Sequence, residues 1–423
     1  MRGQYGYTSP ALTAVRCLSD ARWTRSMLEL VGLSRALPTK RSAWSLLAEG
    51  AVRNRVPTRM TYLKSYVPTL ISVAPAPYGA NARFAGLLGQ DLRQWQVAAP
   101  KLASAIGVPN VVVTEPVPGV FELQLRIVDP LSSPLEWSSV PAAHSWSLSL
   151  GIDEMGVYQS LPLANVSGVV VGGVPGSGKT AWLTSALGSF GASAAVQFAV
   201  IDGKGGQDLE CLRARSCRFM NDDLELPEIA AILNDATGLV RDRIRQGNNI
   251  FGSSNFWDRG PTPQVPLVFV VIDECQAFLD PRQLVTKERK AIGAEIHASV
   301  NYLVRKGRSA GGVSILSTQK PTADSLPTDI RDNASLRVCF GVQSTYAATA
   351  VLGDGWRSDT DVSPLGMSSG VGVSFIGGHF RRFRAPFVRE RVIATHSWRW
   401  SSLNRDPWEL LRPELADGHV RDS

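Results

Sequence analysis

The sequence predicts an α/β protein: a parallel-sheet domain carrying a phosphate loop, preceded by a small α+β domain and a basic helical N-terminal region. Three observations carry that expectation. From about residue 150, strand-like and helix-like stretches alternate, the pattern of a parallel sheet with crossover helices. GVVVGGVPGSGKTAW (168–182) joins a β-branched run to a glycine-rich turn and a helix start. VPLVFVVIDECQAF (265–278) ends a hydrophobic strand on adjacent acids.

Taken in order, residues 1–65 read as helical pieces, for example SDARWTRSMLELVGL with Ser19 as a cap. This region holds eleven Lys or Arg against three acids, so the rest of a chain with net charge +7 is close to neutral. A polybasic end attracts phosphate, in nucleic acid or at an anionic membrane surface; a solvated helical face is the alternative. Segment 66–90, rich in Pro, Gly and Ala, reads as a connection. A helix is expected from about Leu87 to Ile106, ending at Gly107-Val108-Pro109. Two strands follow, NVVVTEPVPG and VFELQLRIVD, and then a linker over 129–145. Strands are expected at 167–172, 196–202, 266–273, 313–318 and 336–342. The domains are therefore drawn at 1–65, 66–150, 151–395 and 396–423, the last a short tail.

Composition excludes several classes. The 423 residues are 44% hydrophobic and 19% charged, an ordinary globular balance. The longest apolar runs, such as Pro266–Ile272, fall far short of the ~18–20 residues of a membrane span. No secretory leader is visible, so a cytoplasmic location is expected, with membrane association through a partner or the basic N-terminal region. The cysteines (Cys17, Cys211, Cys217, Cys275, Cys339) form no CxxC pair and read as free thiols.

Gly173-Val174-Pro175-Gly176-Ser177-Gly178-Lys179-Thr180 satisfies G-x-x-x-x-G-K-[ST], with a strand before it and a helix after. Glycines let successive backbone N–H groups and a helix N-terminus surround phosphate oxygens. Lys179 is expected to reach the β- and γ-phosphates of ATP, and Thr180 to ligate Mg2+. Asp273 is expected to hold Mg2+ and Glu274 to act as general base on the attacking water. In RKGRSAGGVSILSTQKP (305–321) a basic helix end turns into a strand that ends on Thr318-Gln319, where Gln319 can sense the γ-phosphate. The Asp-Glu pair favours an ATPase over a kinase, and no NKxD sequence points to guanine.

These pieces resemble the FtsK/SpoIIIE family of double-stranded-DNA translocases over roughly residues 95–392. The family's ID-x-K resembles Ile201-Asp202-Gly203-Lys204. Its KxRxxGxxxxxxTQxP resembles Lys306 to Pro321, with Arg308, Gly311, Thr318, Gln319 and Pro321 in register. Its later I-x-x-N-x-x-x-R-I-x-F-x-V resembles Ile330 to Val342, with Asn333, Arg337, Phe340 and Val342 matching. KLASAIGVPNVVVTEPVPGVFELQL is similar to the small domain that precedes the family's motor.

The resemblance implies a RecA-like motor in a homo-oligomeric, usually hexameric, ring around duplex DNA. It also implies ATP between subunits and an arginine from the neighbour completing the site, Arg337 first and Arg308 second. The family's membrane-spanning N-terminus and C-terminal winged helix have no counterpart in these residues. The function expected is ATP-driven DNA translocation in conjugative plasmid or integrative-element transfer. Alternatives are a chromosome-partitioning motor and a secretion ATPase moving protein, whose D-x-K-G-G sequence Asp202, Lys204, Gly205 and Gly206 also match. For DNA contacts, loop 247–264 reads as a channel loop or an external insertion. Arg381, Arg382, Arg384, Arg389 and Arg391 read as one charged strand face or as DNA contacts.

Overall fold

The computed structural model describes residues 9–43, 58–143, 145–322, 324–358 and 362–408. The chain divides into two compact units, Met1–Pro130 and Leu131–Ser423.

The first unit opens with helices α1 (Ser9–Ser19) and α2 (Ala21–Leu30). Asp20, not Ser19, caps α2, accepting from the N–H groups of Arg22 and Trp23 at 2.8 and 3.1 Å. Helix then gives way, against expectation, to an antiparallel ribbon of β1 (Arg35–Ala43) and β2 (Thr58–Tyr66). Pro38 breaks helical hydrogen bonding in the first, and threonine and tyrosine favour extension in the second. Segment 66–90, expected as a connection, forms β3 (Thr69–Ala76) and β4 (Gly79–Ala85). Pro75 is tolerated because β3 lies at the edge of a sheet ordered β3-β4-β6-β5. Helix α3 (Leu92–Ile106) ends on Gly107 at φ +77°, and β5 (Asn110–Val117) and β6 (Val120–Arg126) complete the sheet. Trp95 is fully buried and stacks on Phe121 with centroids 4.7 Å apart. Leu18, Met27 and Leu28 of the N-terminal helices join that same core, so the basic region and the small domain share one hydrophobic interior.

In the second unit, β7 (Leu135–Trp137), β8 (Ser147–Asp153), β9 (Tyr158–Pro162) and β10 (Gly168–Gly172) precede α4 (Lys179–Gly188). Next come β11 (Val196–Asp202), β12 (Arg218–Met220), α5 (Leu226–Arg245), α6 (Gly247–Phe251), α7 (Phe256–Arg259) and β13 (Leu267–Asp273). The chain continues through α8 (Gln276–Leu279), α9 (Lys287–Lys306), β14 (Gly312–Thr318), α10 (Thr328–Arg331), β15 (Leu336–Phe340) and α11 (Thr345–Leu352). It closes with β16 (Val371–Ile376), β17 (His379–Arg384), β18 (Pro386–Val388) and α12 (Glu390–Arg399).

Ten strands form one sheet, ordered β12-β11-β13-β14-β10-β15-β16-β17-β8-β9. Its first six pair in parallel and the rest antiparallel. Every residue of β10, β11, β13 and β14 is buried. Continuous hydrophobic runs are the sequence mark of parallel strands covered on both faces. The compact units meet between 130 and 131, and β8, starting at Ser147, already belongs to the large sheet. Segment 129–145, expected as a linker, holds β7, which pairs with β18. Residues 247–264 form α6 and α7, with Phe251 and Phe256 packed in the core. No helix among the described residues is long and apolar enough to cross a membrane.

Candidate nucleotide site

In a parallel sheet the carboxyl ends of the strands face one edge, and there β10, β11, β13 and β14 deliver their last residues. The loop leaving β10 turns tightly around two glycines. A Cβ on Gly173 would lie 2.6 Å from the Ser177 hydroxyl and 2.8 Å from Phe340, and one on Gly178, at φ +96°, would meet the Gly370 nitrogen at 2.7 Å. The Gly370 N–H in turn donates to the Ser177 carbonyl at 2.8 Å, tying segment 366–370 to the loop.

Lys179, the first residue of α4, is only 3% exposed. Its Nζ donates to Asp273 Oδ1 at 2.6 Å, Glu274 Oε1 at 3.0 Å and Ser317 Oγ at 2.7 Å. Glu274 holds a left-handed backbone at φ +49°, a conformation that a non-glycine residue adopts at a cost and that clusters at functional sites. Its Oε2 accepts from Gln276 Nε2 at 2.6 Å and from the Gln319 N–H at 3.2 Å. Gln276 Oε1 accepts from the Thr318 hydroxyl at 2.7 Å. Glu274 is thereby wired to the end of β14 through Gln276.

Asp202 lies beside Asp273 in register on the neighbouring strand. Its Oδ1 accepts from the Lys204 N–H at 2.9 Å. Burial first, and the Asp273 charge in addition, raise the Asp202 carboxyl above the ordinary carboxylate range.

The residues fit magnesium and a nucleotide phosphate chain. Lys179, Asp273 and Glu274 carry one positive and two negative charges, all buried, and Asp273 Oδ2 and Ser177 Oγ are buried without a partner. Buried groups of that kind call for a cation and hydrogen-bonding oxygens. A cavity of about 210 Å3 is lined by Val174, Gly176–Ala181, Gln319 and Ser369. Asp273 and Thr180 would hold Mg2+, whose charge offsets that of the phosphates.

The structure thus gathers Lys179, Asp273, Glu274 and Gln319 at one edge. Arg337 lies elsewhere: it pairs across from Val170, two residues before the end of β10. Its guanidinium donates to the Arg331 carbonyl at 3.1 Å and the Ala334 carbonyl at 3.4 Å, and burial lowers its pKa. Arg308 is exposed in the short turn before β14, at the opposite end of that strand from Gln319.

The five C-terminal arginines do not share one face. Arg384 is 4% exposed, donating to the carbonyls of Leu131 at 2.7 Å and Ser369 at 2.5 Å. Arg381, Arg382 and Arg389 pair with Asp153, Glu154 and Glu136, and Arg391 lies on α12. Sequence reading missed Gln276, Ser317 and Ser369. The first two sit two residues after the Asp-Glu strand and one before Thr318, so strand-end position was a usable signal. Ser369 arrives from a segment remote in sequence, and nothing local marks it.

Fold and site together define a P-loop ATPase domain on a RecA-like parallel sheet. No protein-family model matches the chain. It is 34% identical over 113 residues to the FtsK domain-containing protein YdcQ of Bacillus subtilis strain 168, spanning 27% of this chain and 22% of YdcQ. It is 21% identical over 320 residues to DNA translocase FtsK 2 of Ralstonia nicotianae, spanning 67% of this chain and 39% of that protein. The chain therefore spans well under half the length of these relatives. The solved structure of the pCW3 conjugation coupling protein TcpA, monomer form with ATPgS, shares the fold: TM-score 0.54 at 17% identity, over 82% of this chain and 93% of TcpA. Over these stretches the chain is similar in sequence to FtsK-type DNA translocases.

Proposed function

We propose that this chain hydrolyses ATP with Mg2+ and uses the energy to move double-stranded DNA, working as a ring of identical subunits. The single observation that carries the hydrolysis is the buried cluster in which Lys179 bridges Asp273 and Glu274 beneath the phosphate loop. In this reading Lys179 and the loop bind the phosphates, and Thr180 and Asp273 bind Mg2+. Glu274 takes the proton of the attacking water, and Gln319 reports the γ-phosphate. Arg337, and failing it Arg308, would act across a subunit boundary; the Arg337 guanidinium is held on the carbonyls of Arg331 and Ala334 rather than turned to the chain's own loop. The DNA cargo rests on the relatives named DNA translocases. The conjugative role rests on likeness to TcpA, with chromosome partitioning and protein secretion as the competing roles.

Steady-state hydrolysis with and without linear duplex DNA tests the reading. Stimulation should be many-fold and fade as salt rises, because phosphate contacts release counterions. Hydrolysis indifferent to DNA would sink the translocase proposal and put a secretion ATPase first. Lys179→Ala should abolish turnover. Glu274→Gln should keep nucleotide binding and lose about 10²–10⁴-fold in kcat, the usual worth of a general base.

A further inference from the structure

A second cavity, of about 560 Å3, opens between segment 139–142 and one side of α12. Its wall includes Ser139, Arg391, Thr395, His396, Arg399 and Trp400, and no carboxylate among the described residues. Arg391, Thr395 and Arg399 recur every four residues, as do Val392, His396 and Trp400, so they form one stripe along the helix. Arg381, Arg382 and Arg389 are held by acids. Arg391 and Arg399, by contrast, are in no ion pair among the described residues. The Arg399 guanidinium lies 5.4 Å from the centre of the Trp400 ring.

His396 Nε2 is buried and has no hydrogen-bond partner among the described residues. Burial and the Arg399 charge hold its pKa below the ordinary value. This nitrogen faces Gly191 rather than the groove, since a Cβ on that glycine would lie 3.1 Å from it, so the arginine pair defines the groove's ligand chemistry.

The cavity is separate from the phosphate loop. Gly188, the last residue of α4, faces Val140 and Ile393, whereas the loop lies at the other end of that helix. Ten residues of helix at 1.5 Å each separate the two by about 15 Å. The C-terminus of α4 contributes roughly half a negative charge at this end, which two full guanidinium charges outweigh. Guanidinium groups grip phosphate through paired hydrogen bonds, and indole offers a flat apolar surface. A volume of this size is in the usual range for a small-molecule site.

We propose that this groove is a second anion site, for a nucleoside monophosphate or another small phosphate ester bearing a planar ring. The inference goes beyond the hydrolysis reading and does not depend on it. The test is calorimetric titration of AMP into the full chain after saturation with Mg2+ and ATPγS, so that the phosphate loop is filled first. AMP should bind at one further site, and R391A/R399A should weaken it at least tenfold while leaving ATPγS affinity unchanged, which also reports that the variant is folded. Inorganic phosphate should bind several-fold more weakly than AMP. Absence of AMP binding, equal affinity in the double variant, or phosphate binding as tightly as AMP would each overturn the proposal. If ATPγS does not bind at all, the hydrolysis reading fails instead, and AMP with the arginine variant still reads the groove alone.

Discussion

Gln276 shows how much of a site can hang on one uncharged side chain. It donates to Glu274 and accepts from Thr318, so it fixes the carboxylate relative to the strand end that carries Gln319. Displacing a catalytic group by about 1 Å can cost on the order of 10²-fold in rate. Gln276→Ala should therefore lower kcat for ATP about 10- to 100-fold with little change in KM; an unchanged kcat in steady-state assays would remove Gln276 from the machinery. Asp202 makes a different prediction. Its folded pKa is raised, so the ionised form is disfavoured in the fold. The penalty is present above the folded pKa and fades as pH falls through it toward the unfolded value. Asp202→Asn keeps an acceptor for the Lys204 N–H and should raise Tm at pH 7 to 8. That gain should vanish near pH 4, the ordinary aspartate range, when melting is followed across pH.

Among the elements, β11 shows what the sequence could and could not reveal. Its span, 196–202, was legible from VQFAVID, a run that only a doubly covered strand tolerates. Its anchor was not. Arg215, from a turn after the strand, is 1% exposed and donates to the carbonyls of Gly191, Ser193 and Val196 at 2.8–2.9 Å and to Gln197 Oε1 at 3.2 Å. Burial brings its pKa down to about 10, which leaves it charged at neutral pH. Arg215→Leu would strip several buried acceptors of their donor at about 1–3 kcal/mol each. Urea unfolding of the variant should show a loss of at least about 3 kcal/mol. In the first unit, β3 was misread because none of its positions is buried, so the two-residue alternation that marks a strand is faint. Strand β4 does alternate, but two of its buried positions, Ala80 and Ala82, are too small to mark it, and its flanking Pro and Gly read as connection.

At the scale of the whole molecule, each unit has a hydrophobic interior of its own. Residues 131–423 contain the large sheet and every residue proposed to bind nucleotide. Expressed alone, this piece should melt cooperatively and bind ATPγS with an affinity close to that of the full chain. A broad, uncooperative transition in calorimetry would mean that the first unit is needed for folding. A piece begun at 151 should fare worse, because it cuts β8 and removes β7.

The amino-acid sequence by itself determined the phosphate loop, the Asp-Glu strand and the parallel core. Each is a local pattern: glycines where the backbone must approach closely, and unbroken hydrophobic runs where both faces are covered. Tertiary structure alone decided that Gln276 joins Glu274 to Thr318, that Ser369 borders the cavity, and that Arg384 is a buried clamp rather than part of a charged strand face. Those contacts join segments that are distant in the chain or depend on the side-chain path. Burial and hydrogen-bond partners are properties of the assembled fold, which no short stretch of residues encodes.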